Sequence, residues 1–107
     1  MTQNDFGISQ KSMEIILEIL RSYPRIERAV IFGSRAKGNF NTGSDIDIAV
    51  YGADAETALN LSAELNEKTA SPYFFDVAAV ETIKAPELLE HINRVGKTFY
   101  TRDEKKP

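Results

Sequence analysis

The segment Gly33-Ser34-Arg35-Ala36-Lys37-Gly38, followed after a polar stretch by Ser44-Asp45-Ile46-Asp47-Ile48-Ala49-Val50, constrains this chain more than any other. It leaves an apolar run, Ala29-Val30-Ile31-Phe32, passes through a glycine-containing turn, and enters a second run in which polar and apolar residues alternate. A period of two is the mark of a strand with one covered face. Ile46, Ile48 and Val50 then face a core, and Asp45, Asp47 and Ala49 face a cleft. Two strands this close in sequence are expected to pair as a hairpin, which favours a mixed sheet over a uniformly parallel one.

The rest of the chain supplies helices to cover that sheet. Ser9 is an N-cap for a helix through about Tyr23, with Met13, Ile16, Leu17 and Leu20 at helical spacing and Pro24 as its stop. Arg28 to Phe32 is the first strand, and Asn39 to Gly43 is a loop of turn formers. A second helix runs from about Ala55 to Lys68, presenting Ala58, Leu61 and Leu65. After Ser71-Pro72, Tyr73 to Val80 reads as a third strand. A third helix has Pro86 in its first turn, a buried stripe of Leu88, Leu89, Ile92 and Val95, and Gly96 as its end. Thr98 to Tyr100 is a short last strand. This order gives an α+β fold, a small mixed sheet covered by helices. At 107 residues it forms one domain, 1–107, with 1–8 and 102–107 expected as loose ends.

Composition excludes several classes. Thirteen basic against sixteen acidic residues leave a net charge of −3, so no direct DNA or RNA binding is expected. Without cysteine there is no disulfide, thiolate metal site or cysteine nucleophile. The polar start lacks the apolar stretch of a signal peptide, and no run approaches a membrane span, so a cytoplasmic protein with no membrane partner is expected.

The chemistry lies in the carboxylates. Asp45 and Asp47 stand side by side on one strand face, where like charges raise each other's pKa unless a cation intervenes. Hard oxygen ligands suit Mg²⁺, which takes one or two carboxylates and completes its shell with phosphate oxygens. The small turn at Gly33 lets backbone N–H groups approach a phosphate. Ser34 adds a hydroxyl, and Arg35 and Lys37 offer charge-assisted bonds to phosphate oxygens. This is not a Walker A loop, because Asn39-Phe40 stand where Lys and Ser or Thr are required. Asp76, in mid-strand among aromatics, is costly to bury unless paired or bound to metal. If it converges with Asp45 and Asp47, the three form a two-metal site for in-line phosphoryl transfer. His91, the only histidine, reads as exposed or structural, and Tyr73-Phe74-Phe75 as core; Tyr51 and Tyr100 receive no role.

Gly33-Ser34, ten intervening residues and then Asp45-Ile46-Asp47 resemble the signature of the polymerase-β-type nucleotidyltransferase superfamily. The tighter form, Gly-Ser-Arg-Ala-x-Gly followed by Ser-Asp-Ile-Asp, is similar to its minimal nucleotidyltransferase branch. Asp76 sits where that branch carries a third carboxylate, and Leu88 to Gly96 with Tyr100 resembles its ends. The resemblance covers about Ile26 to Tyr100. It implies a polymerase-β palm-like fold and a Mg²⁺-dependent transfer of a nucleoside monophosphate, AMP from the triphosphate ATP, to a hydroxyl. The acceptor it implies is a tyrosine of a HEPN-domain toxin partner, which makes the chain an antitoxin. Asp45, Asp47 and Asp76 carry over as metal-binding and catalytic carboxylates, and Gly33 and Ser34 as the triphosphate turn. Two other readings stand beside it: a non-catalytic antitoxin that masks its partner, and a small-molecule nucleotidyltransferase, although the latter usually carries an added helical domain.

Overall fold

A computed structural model describes residues 8–33, 45–69 and 74–102. Its elements in chain order are α1 (Gln10–Arg21), β1 (Arg28–Phe32), β2 (Ile46–Tyr51), α2 (Ala55–Lys68), β3 (Phe75–Ala79), a 3₁₀ turn (Val80–Thr82), α3 (Pro86–Val95) and β4 (Lys97–Thr101). The helix ends follow the local chemistry. The Ser9 hydroxyl accepts from the Ser12 amide at 3.2 Å, and the Asp54 carboxylate accepts from that of Thr57 at 2.8 Å, so each satisfies a donor that the first helical turn leaves open. At the far ends, the Ser22 and Thr69 hydroxyls donate to the carbonyls of Ile19 and Leu65, both at 2.6 Å.

The four strands lie in the order β3-β2-β1-β4. β1 is antiparallel to both β2 and β4, whereas β2 and β3 are parallel, joined by α2 as a crossover. The sheet is therefore mixed, and the fold α+β, as the element order implied. Ala29 and Ile31 of β1, Ile46, Ile48 and Val50 of β2, and Phe75 and Ala79 of β3 share one face with Ile16, Ile19 and Leu20 of α1 and Ala58, Leu61 and Leu65 of α2. This is the main core. Fully burying side chains of this size contributes about 1.5–3 kcal/mol each, so the fold rests on this face.

A second, smaller cluster lies on the opposite face. Among the described residues, Val30, Ala49 and Ile92 are buried there, with Phe32, Tyr51, Val80, Ile83 and Leu88 packed part-buried around them. The α3 stripe is shallower than its spacing implied: Ile92 is buried, but Leu88, Leu89 and Val95 are half-buried. Among the described residues, α3 is the helix whose buried side chain joins the Val30–Ala49 cluster on this face. At the distal end the Arg28 guanidinium sits 4.0 Å from the centre of the Tyr51 ring, which gives Tyr51 a structural role. Tyr100 is buried in the main core.

β3 is an edge strand, and α2 guards it. The Asn66 carboxamide accepts from Phe75 N–H at 2.7 Å and donates to Phe75 C=O at 3.0 Å, much as a neighbouring strand would. The Ser62 hydroxyl donates to the same carbonyl at 3.2 Å. Of the segments expected to be loose, only Ile8 and Arg102 fall among the described residues, and both are anchored. Ile8 is fully buried, and the Arg102 guanidinium donates to the carbonyls of Ile26 and Tyr23 at 3.2 and 3.0 Å. No helix among the described residues is long and apolar enough to cross a membrane.

Candidate active site

β1 ends in the turn that opens the site. Gly33 has φ +82°, a left-handed conformation that residues with a Cβ rarely adopt. A Cβ built on Gly33 would fall on Oδ2 of Asp47, so the turn backbone approaches that carboxylate as closely as a missing side chain allows. The remaining turn residues singled out from the sequence, Ser34, Arg35 and Lys37, lie outside the described residues.

The register assembles the carboxylates. Asp47 pairs across the antiparallel ladder with Phe32 and across the parallel ladder with Asp76. It shares the α3 face of the sheet with Ala49 and Tyr51, while its chain neighbours Ile46 and Ile48 enter the main core. Asp47 is half-buried, and Asp45 and Asp76 are exposed on either side of it. Burial pushes the Asp47 carboxyl above its ordinary pKa, and the nearby charges of Asp76 and then Asp45 push it further the same way. His91 alone opposes the rise.

His91 is the residue that sequence reasoning set aside. Its ring meets Phe32 edge-on, with centroids 6.2 Å apart at 81°, and so it stands on the sheet face that carries Asp47. The available signal was its spacing: three residues after Leu88 and adjacent to Ile92, it falls on the sheet-facing side of α3. Its contact with Phe32 fits a structural histidine, whereas Phe74 departs from expectation. Phe75 is buried in the core as expected, but Phe74 is 56% exposed, because alternation along the strand turns it to the face of Asp76. Tyr73 lies outside the described residues.

Such a site can hold a hard cation. The donor set is all oxygen, its central carboxylate is disfavoured as an anion by its neighbours, and Gly33 leaves that carboxylate uncovered. Among the described residues, no three His, Cys, Asp or Glu side chains are drawn tightly enough together to form a preset metal cluster. The strands thus supply neighbouring positions for the ligands rather than a finished cage.

Residues 14–105 match the family model described as polymerase beta, nucleotidyltransferase. The chain belongs to this family. A protein adenylyltransferase MntA of Shewanella oneidensis is 38% identical to it over 88 residues. That alignment spans 79% of this chain and 62% of the relative, so the chain matches less than two thirds of the relative's length. Among solved structures, a toxin–antitoxin with AMP-PNP superposes with a TM-score of 0.68 at 26% identity, covering 88% of this chain and 76% of that one. A tri-AMPylated Shewanella oneidensis HEPN toxin in complex with MNT antitoxin gives a TM-score of 0.64 at 23% identity, covering 90% and 75%, and shares the fold.

Proposed function

We propose that this chain is a Mg²⁺-dependent nucleotidyltransferase that moves AMP from ATP to a hydroxyl, that of a tyrosine on a HEPN-type toxin, and so acts as an antitoxin. The observation that carries this reading is the register pairing of Asp47 with Asp76 beside a glycine turn packed on Asp47. The family match supports the reaction class. The adenylyltransferase name of the 38% identical relative and the ATP analogue in the toxin–antitoxin structure support ATP as donor and a toxin as acceptor. A reaction that draws on ATP suits the cytoplasm.

In the reaction, the acceptor hydroxyl oxygen bonds to the α-phosphorus of ATP, the bond from that phosphorus to the bridging oxygen breaks, and pyrophosphate leaves. Mg²⁺ held by Asp45, Asp47 and Asp76 would offset the charge of the triphosphate and acidify the acceptor hydroxyl. Gly33, with Ser34, Arg35 and Lys37, would hold the departing phosphates through backbone amide, hydroxyl and cationic donors. Asp76, exposed at the edge strand, receives the hydroxyl proton. Asp47, half-buried between Asp76 and Phe32, keeps the donor in register with both sides.

The test is neutralisation of the partner toxin by the Asp45→Asn/Asp47→Asn double variant. Loss of neutralisation with the complex still formed supports a catalytic antitoxin. Full neutralisation by the double variant would mean that the partner is silenced by masking alone.

A further inference from the structure

Phe74 has a fixed backbone and a free ring. Its carbonyl accepts from Ile46 N–H at 2.8 Å, which extends the β2–β3 ladder by one residue, and the next residue is held by Asn66. Yet the ring is 56% exposed, one of two large apolar side chains left open among the described residues. The other, Leu59, is on α2, which covers the opposite sheet face, so it bears no relation to the site.

The sheet order gives the site two sides. Reading across it, Asp76 lies in β3 with Phe74 immediately before that strand, Asp47 lies in β2 with Asp45 immediately before it, and the Gly33 turn follows β1. Phosphoryl transfer runs with the attacking and leaving oxygens roughly in line on opposite sides of phosphorus. If pyrophosphate departs toward the Gly33 turn, the attacking hydroxyl arrives from the β3 edge, over Phe74. Resting on the transferase reading above, we propose that Phe74 is the acceptor platform, on which the ring of the hydroxyl-bearing tyrosine, or an apolar residue beside it, stacks to align the hydroxyl. Asp76 lies two residues along and Asp45 adjoins across the ladder, both exposed, so the docking segment presents no acidic side chain at this point. The segment is therefore an aromatic, non-acidic stretch of the partner protein.

The experiment compares wild type, Phe74→Ala and the ring-retaining Phe74→Trp in AMP transfer to the intact partner, varying partner and ATP separately. Aromatic contacts at interface centres commonly support a loss of about tenfold on truncation. Phe74→Ala is expected to raise KM for the partner about tenfold, leave KM for ATP unchanged, and recover with Phe74→Trp. A rise in KM for ATP with the partner's unaltered would show that the ring stacks the nucleobase, and would overturn the proposal. So would unchanged kinetics on both axes. If wild type transfers no label, the transferase reading fails by itself, and complex affinity becomes the readout. A roughly tenfold weaker complex for Phe74→Ala then keeps the platform as a docking contact, whereas equal affinity removes it.

Discussion

Asp47→Asn should abolish transfer and at the same time make the metal-free protein more stable. Asp47 is half-buried, and its carboxyl is raised above its ordinary pKa first by burial and then by Asp76 and Asp45. A carboxyl whose folded-state pKa lies above its unfolded value contributes its stability in the protonated form. That contribution is complete below the unfolded pKa and is lost as pH rises through the folded one. At neutral pH without a cation, the ionised Asp47 is a net cost that the isosteric, neutral Asn does not carry. Like charges facing across paired strands are destabilising, here taken on the scale of about 0.2–1 kcal/mol that cross-strand pairs contribute, and Asp47 and Asp76 are partners across the parallel β2–β3 ladder. For a domain of this size about 1 kcal/mol moves Tm by about 4 °C. The variant should therefore melt about 1–4 °C above wild type at pH 7 in EDTA. The difference should vanish below about pH 4, where the unfolded carboxyl is itself protonated. Thermal unfolding at both pH values, with EDTA and with Mg²⁺, reads this directly: Mg²⁺ raises the Tm of wild type and leaves the variant nearly unmoved. A variant less stable than wild type in EDTA at pH 7, or equal stabilisation of both by Mg²⁺, would refute the claim that repulsion is stored at this position for a cation.

Three further substitutions probe the supporting geometry. Gly33→Ala meets both a left-handed backbone, which costs about 1–2 kcal/mol, and the Asp47 carboxylate where its Cβ would go. It should lower Tm by about 4–8 °C and suppress transfer with every acidic residue intact; a normal Tm would contradict the turn geometry. Asn66→Ala removes the carboxamide bonds to Phe75 and should cost about 1–3 kcal/mol in urea unfolding, with a loss under about 0.5 kcal/mol counting against the edge-guard reading. His91→Ala, on the β1 side of the cleft beside Phe32, should weaken ATP binding about three- to tenfold and leave KM for the partner alone; the reverse pattern in titration and kinetics would move His91 to the acceptor side.

The facing of Asp45 and Asp47 was legible in the sequence because a strand period of two leaves no freedom once Ile46, Ile48 and Val50 must be covered. The helix starts were legible for an equally local reason, since Ser9 and Asp54 cap through bonds three residues long. Asp76 is different. Its pairing with Asp47 depends on the α2 crossover that sets the parallel register, and no local pattern encodes that distance. Phe74 was misjudged, and the place of His91 beside Phe32 was not foreseen, for related reasons. Helical spacing identifies the buried stripe of α3 but not how much else shares its sheet face, and an aromatic run reads as core until alternation assigns its members to opposite faces. Arg102 seemed part of a solvated tail because its partners, the carbonyls of Tyr23 and Ile26, are far away in sequence.

The most direct test of the central claim is incubation of the chain with the proposed HEPN-type partner, α-³²P-labelled ATP and Mg²⁺, followed by gel and mass spectrometry. An AMP-sized label on a partner tyrosine, absent with Asp45→Asn, is the predicted result. A partner that is bound tightly yet never labelled would contradict it, and would leave a nucleotidyltransferase fold that neutralises by contact alone.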